Sequence, residues 1–412
     1  MRHRLPPVLR LRAFALLWTS LLANGFASQM IVVAIGWQVY SINHRPLDLG
    51  LVGLAEFLPL PILALPAGQL ADRMSRRTVA AVAGGLTVLI AGVLLLITAS
   101  GTTDKLWPFL VVGLLTGITS AIGNPASRAL TPELVPTELL QSAIALRSVA
   151  GQIGVVVGPA VGGLIYVVEP VAVYAIGGAL LTVALIATLA LPKTVLRKQI
   201  DAPVTREELL GGIHFIRETR VVLGAIALDL VAVLFGDAIA LAPVFAKTIL
   251  EGGPVVLGAL RAAPSVGALT GALLIARRPL PFRAGPTLLV VVATFGAATI
   301  VFGLSKSLPL SLLMLAITGF VDMISMNIRA TAVAVMTPRS LQGRVASVEM
   351  VFISASNELG AFEAGGMASL LGTVRAVVLG GALMIGFAAT WPRIFPELSQ
   401  LGRLDELESP GE

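Results

Sequence analysis

Charged side chains interrupt several long apolar stretches of this 412-residue chain. A charge at the centre of a bilayer costs at least about 2.5–3.5 kcal/mol to insert, so each one needs a physical reason. A carboxyl group held away from water favours its neutral form, which suits reversible binding of a proton. Four carboxylates are candidates for proton or cation coupling: Asp229, Asp322, Glu349 and Glu56. For Asp229 and Asp322 the alternative is a structural ion pair.

Depth along the apolar stretches predicts one specific ion pair. Asp237 lies ten residues from the outer end of its stretch, and Arg261 lies about seven residues from the outer end of the next. At 1.5 Å per residue, both are roughly 10–15 Å deep. We expect Asp237 and Arg261 to form a buried gating or structural pair. Arg147, Glu349 and Glu358 are equally compatible with a role in steadying helices.

The apolar stretches are the elements that must position these charges. Hydrophobic residues make up 56% of the chain and charged residues 13%, against about 25% charged in soluble domains. Stretches of about 20 apolar residues cross the hydrocarbon of a bilayer. Twelve are predicted, at 13–40, 48–70, 78–99, 106–128, 139–167, 171–191, 221–247, 254–276, 286–304, 309–332, 343–370 and 373–392. The fold class is therefore an all-α membrane protein with twelve transmembrane helices.

Basic residues indicate the orientation of these helices. If the N-terminus is cytoplasmic, 22 lysines and arginines, Arg128 and Arg329 among them, fall on the cytoplasmic side and five on the other. Positive charge is retained on the cytoplasmic side, so both termini are predicted to be cytoplasmic. The net charge of +6 is explained in this way, and no nucleic acid partner is predicted.

The longest connection lies at the midpoint of the chain and separates two halves. It spans 192–220, and its second part has Leu209, Ile213 and Ile216 at helical spacing, which predicts a short amphipathic helix on the membrane surface. A shift of 203 residues aligns the halves through these matches: Gly68 with Gly271, Asn124 with Asn327, 162–163 with 365–366, and 177–178 with 380–381. The predicted domains are six-helix bundles at 1–191 and 221–392, followed by a tail at 393–412.

Two short motifs contain glycine, one together with proline and the other together with charged residues. The fifth span contains Gly154, Gly158, Pro159, Gly162 and Gly163, whose spacing places small residues on one helix face. A neighbouring backbone can approach such a face closely. Proline removes a backbone donor and bends the helix. The second motif, between spans 2 and 3, has an acid among basic residues and consists of Gly68, Asp72, Arg73, Arg76 and Arg77.

These motifs resemble two signatures of the major facilitator superfamily, the loop between spans 2 and 3 and the fifth span of its antiporters. Further stretches resemble its enterobactin-exporter-like branch, including "GIHFIRETR" at 212–220 and "LAPVFAKTILEGG" at 241–253. The resemblance covers most of the chain. It implies two pseudo-symmetric bundles and a seal at span 5 that favours export. It also implies a central cavity lined by spans 1, 4, 7 and 10, where the substrate candidates are Asn24, Ser28, Gln29, Asn124, Phe235 and Asn327.

Several chemistries are excluded by the sequence. The chain has no cysteine, its three histidines lie in or beside polar connections, and no metal site is predicted. No phosphate-binding loop of the G-x-x-x-x-G-K-[ST] type occurs, so direct use of ATP is excluded, and no cofactor is expected. We predict that the protein is not an enzyme. We expect a secondary exporter of small amphiphilic molecules, siderophore-like or drug-like, that works by alternating access in exchange for protons.

Two other functions are compatible with the same residues. A lipid or lysolipid flippase of this fold would need a side opening between helices. A receptor or scaffold that transports nothing would gain nothing from the cost of intramembrane carboxylates. The expected setting is the cytoplasmic membrane of a bacterium, with a small-molecule substrate and the lipid bilayer as partners and the chain as a monomer.

Overall fold

The structure is a computed structural model that describes residues 6–63, 74–192, 206–277, 283–338 and 341–403. The described residues form helices and connecting turns, without strands. Twelve long helices follow the order predicted from hydropathy: α1 (Arg12–Asn43), α2 (Pro46–Phe57), α3 (Arg76–Ala99), α4 (Trp107–Leu134), α5 (Leu140–Val168), α6 (Pro170–Leu189), α7 (Arg220–Gly236), α8 (Gly253–Arg277), α9 (Ala284–Leu304), α10 (Leu308–Met336), α11 (Gln342–Leu371) and α12 (Thr373–Ile394). A further helix, the linker helix, spans Arg206–Glu218.

Length and hydropathy make these helices membrane spans. Within the described ranges, eleven helical segments are long and apolar enough to cross a bilayer, and the α2 segment extends to Leu63. The remaining helix, α11, is 30 residues long, but only its second part, Leu359–Leu371, is a continuous apolar segment. Its first part carries Arg344 and Glu349, which lower its hydropathy. The predicted all-α membrane fold is confirmed.

The fourth helix extends beyond the predicted span. It ends at Leu134, six residues after the predicted limit of 128, so Arg128 lies within the helix. Hydropathy marks where the hydrocarbon ends, whereas a helix continues until its backbone hydrogen bonding stops. The second part of α4 is held by Arg76, which donates to the Ala129 carbonyl at 3.2 Å and pairs with Glu133 at 2.8 Å.

The seventh predicted span, 221–247, lies within the membrane-spanning segment Arg220–Ile249, but this segment is not one continuous α-helix. The helix α7 ends at Gly236, and the chain continues through a 3₁₀ turn at Ala238–Leu241 and a π-type turn at Phe245–Ile249. Pro243 follows this break and cannot donate a hydrogen bond to the carbonyl four residues earlier. Asp237 lies at the point where the helical dihedral angles are lost.

The chain divides into two compact units. The first consists of Met1–His44, Leu51–Pro203 and Gly252–Ala262, and the second consists of Arg45–Gly50, Val204–Glu251 and Ala263–Glu412. Each unit therefore includes a short segment from the other half of the sequence. The start of α2 belongs to the second unit, and the start of α8 belongs to the first.

In the first unit, α1 packs along α5 and α6. Trp18 on α1 donates its indole N–H to the Leu146 carbonyl at 2.9 Å. Arg147 donates from Nη1 to the Ser127 carbonyl at 2.7 Å and to Thr131 Oγ1 at 3.1 Å. Arg147 thus connects α5 to α4, which is the helix-steadying role considered for it.

In the second unit, a core of buried apolar residues joins α7, α9, α10 and α12. Leu228, Leu288, Ile328, Met384 and Trp391 are buried in it. The Trp391 indole donates to the Gly224 carbonyl of α7 at 3.2 Å. This core fixes the relative positions of α7 and α10, the two helices on which the site described below depends.

Candidate functional site

The second unit contains a buried ion pair between two membrane helices. Asp229 of α7 accepts from Nη1 of Arg329 on α10, and their side chains are only 14% and 10% exposed. Glu349 of α11 lies on the same small cavity and interacts electrostatically with Arg329. These three residues are called the charge cluster below.

The helix positions of the charge cluster place it at a common depth. Asp229 is nine residues from the start of α7, Arg329 is seven from the end of α10, and Glu349 is seven from the start of α11. At 1.5 Å per residue, each lies about 10–14 Å from its helix end. The three charges therefore meet at one level, about two turns of helix from the helix ends.

The cavity at the charge cluster is small and is lined by four polar or charged and four apolar residues. Its volume is about 10 Å³, the room needed by about one water molecule. Besides the three charges, the wall consists of Ile226, Leu230, Phe352, Ile353 and Ser356. Ser356 donates its hydroxyl to the Phe352 carbonyl at 2.6 Å. Such surroundings screen charges weakly, so the interactions among the three groups are strong.

An apolar layer separates the charge cluster from the nearby helix ends. Val333 follows Arg329 by one turn, and Val345 precedes Glu349 by one turn; both are buried. They pack with Val222 and Val348 and with Ile216 from the linker helix, which is 5% exposed. The linker helix thus contributes a side chain to the layer that covers the cluster from that end.

Asp322, the other predicted coupling residue near the midplane, does not line this cavity. It lies on α10 seven residues before Arg329, which places both on the same helix face about 10 Å apart along the axis. Asp322 is exposed, whereas Asn327 between them is half-buried. The two carboxylates predicted as equivalents therefore occupy different surroundings.

Phe235 and Asp237 lie near the break in span 7. Phe235 stacks on Phe387 of α12 with ring centroids 5.9 Å apart, so it contributes to packing within the second unit. Asp237 is half-buried and interacts electrostatically with Glu363 of α11. Its predicted partner Arg261 lies on the part of α8 that belongs to the first unit. The Asp237–Arg261 pair stays a prediction.

The predicted substrate residues of the first unit lie on α1 and α4. Asn24 and Asn124 are exposed, and Ser28 and Gln29 are half-buried. Glu56 on α2 is half-buried. The α2 backbone packs closely on α4 here, because the backbone carbonyl of Glu56 occupies the space that a side chain at Gly117 would need.

The glycines of α5 provide close backbone contacts on two sides. A Cβ atom at Gly154, Gly158 or Gly162 would lie 2.7–2.8 Å from atoms of α1, which excludes any larger residue without movement of a helix. Gly163 faces the Pro254 carbonyl at the start of α8, and the Pro159 carbonyl faces Gly258. The motif therefore joins α5 to both α1 and α8 within the first unit.

The basic residues of the loop 2–3 motif contact helix ends. Arg76 pairs with Glu133 on α4, and Arg77 donates to the Leu189 carbonyl at the end of α6. A cation at a helix C-terminus is favourably placed for the helix dipole. Gly68, Asp72 and Arg73 lie outside the described residues.

Sequence reasoning missed Arg329, which the structure makes the centre of the cluster. The charge count assigns it to the cytoplasmic side because it lies within four residues of the predicted end of span 10. In the structure α10 continues to Met336, and Arg329 is buried. Its position inside the predicted limits of 309–332 was the available signal. Moving it leaves 21 cytoplasmic charges against five, so the predicted orientation does not depend on it.

Comparison with solved structures shows which fold the chain has. The chain is similar to a bacterial homologue of the human lysosomal transporter Spinster in an inward-facing, unoccupied conformation, with a TM-score of 0.76, 14% identity, and coverage of 98% of this chain and 100% of that one. It is also similar to a D-xylose–proton symporter, with a TM-score of 0.73, 14% identity, and coverage of 93% and 98%. The protein has the twelve-helix fold of the major facilitator transporters.

The family follows from sequence comparison. The profile of the family described as transmembrane secretion effector matches residues 5–406, and the chain belongs to this family of the major facilitator superfamily. The chain is 28% identical over 370 residues to the enterobactin exporter EntS of Shigella boydii serotype 18 (strain CDC 3083-94 / BS512), which covers 87% of this chain and 86% of that protein. The predicted resemblance is confirmed. The protein is a multi-pass membrane transporter of a small molecule and not an enzyme.

Proposed function

We propose that this transporter exports small amphiphilic organic molecules, siderophore-like or drug-like, in exchange for protons. The observation that carries the proposal is that Asp229, Arg329 and Glu349 line one cavity, with the Asp229–Arg329 pair largely buried. An isolated charge in hydrocarbon is costly, and intramembrane charge clusters mark ion and proton pathways.

The charge balance of the cluster favours binding of one proton. With all three groups ionised, two carboxylates face one guanidinium, and the cluster carries one net negative charge. Uptake of a proton by either carboxylate makes the cluster neutral, which the apolar surroundings favour. Arg329 remains charged and can pair with whichever carboxylate is ionised. A cycle that exposes the cluster first to one side and then to the other would carry one proton across.

The substrate class rests on the related exporters and on the residues of the predicted cavity. EntS is named an enterobactin exporter, and enterobactin is a siderophore. Asn24, Gln29, Asn124 and Asn327 would offer hydrogen bonds within otherwise apolar walls, which suits an amphiphilic molecule. The glycine motif of α5 would act as the seal that limits leakage during export.

The proposal also covers the membrane in which the protein lies and the gradient that drives transport. The protein would lie in the cytoplasmic membrane of a bacterium with both termini cytoplasmic, as the distribution of basic residues predicts. It would act as a monomer, use the proton gradient and require neither ATP nor a cofactor. The two bundles would rock about the central cavity, opening it alternately to either side.

An untargeted comparison of metabolites tests the substrate and the direction together. Cells that lack the protein should retain a compound that wild-type cells release. Inside-out membrane vesicles with an acidic lumen should then accumulate this compound, because an antiporter moves its substrate toward the acidic side. A lipid probe serves as the control. Movement of the lipid probe without transport of any soluble compound would contradict the exporter and support the flippase.

A further inference from the structure

A groove lies between α3 and α6 of the first unit, where α3 begins and α6 ends. Its volume is about 570 Å³, within the range of small-molecule sites. Ser75, Arg77 and Thr78 line one end of the groove together with Leu189, and Val82 and Leu185 line the other. The groove is therefore polar and cationic at one end and apolar at the other.

The polar end is held by hydrogen bonds that keep Arg77 in place. Its Nη2 donates to the Leu189 carbonyl, and Ser75 Oγ lies 2.6 Å from Thr78 Oγ1. A guanidinium has five N–H donors, so one carbonyl uses only part of its capacity. None of the described residues that line the groove is acidic. This end presents positive charge and hydroxyl groups suited to an anion.

The apolar end is continuous with the outer faces of two membrane helices. Val82 is 53% exposed, and Leu86 and Leu89 extend the same exposed face along α3. On α6, Leu189 and Ile186 are exposed beside the groove. In a membrane-spanning bundle such surfaces contact acyl chains. A molecule that fills the whole groove needs an anionic head and a hydrocarbon tail.

We propose that this groove binds an anionic phospholipid. The phosphate would accept hydrogen bonds from Arg77 and from whichever hydroxyl of Ser75 and Thr78 does not donate to the other, and an acyl chain would follow Val82 and Leu185. Arginine matches the geometry of phosphate oxygens. Basic pockets between membrane helices recruit anionic headgroups in this way. The site would fix the spacing of α3 and α6, and it does not depend on the substrate or the coupling ion.

Native mass spectrometry of the delipidated full-length protein tests this site. Phosphatidylglycerol should bind more tightly than phosphatidylcholine with the same acyl chains. Arg77→Gln should weaken phosphatidylglycerol binding about fivefold, the effect of one arginine near an anionic lipid. The matched control is Arg12→Gln, which removes an equal charge from an exposed arginine at the start of α1 and should leave the affinity unchanged.

A second variant tests the apolar end without a change of charge. Val82→Trp places a large ring in the groove at an exposed position, where the fold should tolerate it, and should also weaken phosphatidylglycerol binding. Glycerol 3-phosphate alone should bind too weakly to compete. The proposal is overturned if Arg77→Gln keeps wild-type affinity, if phosphatidylcholine binds equally well, or if glycerol 3-phosphate competes at the concentration of the lipid.

Discussion

The charge cluster of the second unit has an apolar counterpart in the first unit. When the halves are aligned with a shift of 203 residues, the positions of Asp229, Arg329 and Glu349 correspond to Phe26, Ala126 and Leu146. Ala126 is buried, and the backbone of Phe26 packs against the α5 glycines. At equivalent positions, one unit has charges around a cavity and the other has close apolar packing.

The glycine motif shows the opposite asymmetry. The positions of Gly154, Gly158 and Pro159 in α5 correspond to Asn357, Ala361 and Phe362 in α11. Two glycines are kept, at 365 and 366, and Gly365 packs closely on Pro46 and Gly50 in the second unit. The two halves therefore share the order of their helices but differ in the residues at equivalent positions. We infer that the first half provides a rigid seal and that the second half provides the proton site.

The largest effect on stability is expected from Arg329→Gln. This change leaves Asp229 and Glu349 without a counter-charge, and removal of one partner of a buried pair such as Asp229–Arg329 costs roughly 3–5 kcal/mol. The midpoint of thermal unfolding in detergent should fall strongly. The Asp229→Asn/Arg329→Gln double variant should recover part of the loss. If Arg329→Gln unfolds at the wild-type temperature, the pair does not stabilise the second unit.

A matched pair of glycine variants tests the difference in packing between the halves. Gly163→Ala places a Cβ against the Pro254 carbonyl, whereas a Cβ at the equivalent Gly366 meets no atom within 4 Å. We expect Gly163→Ala to lower the free energy of unfolding by about 1–3 kcal/mol, the usual cost of overpacking. Gly366→Ala should have almost no effect. Equal effects of the two variants on thermal unfolding would contradict the asymmetry.

A smaller change in stability is expected from Glu349→Gln, because the Asp229–Arg329 pair remains intact. The free energy of unfolding should change by less than about 1 kcal/mol, as for most substitutions that leave no charge unpaired. Transport should nevertheless lose its dependence on a pH gradient, because the remaining pair is already neutral. Thermal unfolding and transport at two gradients separate these effects. A variant that folds well and keeps the full dependence would exclude Glu349 from the proton site.

The smallest effect is expected from Arg76→Gln. The Arg76 and Glu133 side chains are 30% and 26% exposed, and ion pairs this accessible contribute about 0–1 kcal/mol. The midpoint of thermal unfolding should shift by only a few degrees at most, and less in high salt. If Arg76→Gln lowers the midpoint of thermal unfolding as much as Arg329→Gln does, the contribution of these two ion pairs to stability does not depend on their burial.

The helices could be predicted from the sequence because each apolar stretch carries its own signal. The order of the twelve spans and the position of the linker helix follow from hydropathy and periodicity alone. The end of α4 could not be predicted in this way, since Ala129 and Glu133 are held by Arg76 on another helix. The break at Asp237 could have been anticipated from Pro243, which cannot complete the hydrogen bonding of a continuous helix.

The site was only partly predictable because its members pair across distant parts of the chain. Asp229 and Glu349 are recognisable as costly charges within apolar stretches. Their common partner Arg329 is separated from Asp229 by 100 residues, and no local pattern connects the two. Counting basic residues near span ends assigned Arg329 to the cytoplasmic side. Arg329 meets Asp229 because α7 packs against α10, and hydropathy does not predict this packing.

The central claim is that the charge cluster binds the coupling proton. The most direct test is accumulation of the identified substrate in proteoliposomes with and without a pH gradient, for wild-type protein and for Asp229→Asn, Glu349→Gln and Asp322→Asn. The account predicts that wild-type accumulation rises with the gradient, and that Asp229→Asn and Glu349→Gln exchange substrate at a rate independent of it. Full pH-driven accumulation by both of these variants, with loss of the gradient response in Asp322→Asn alone, would contradict the claim.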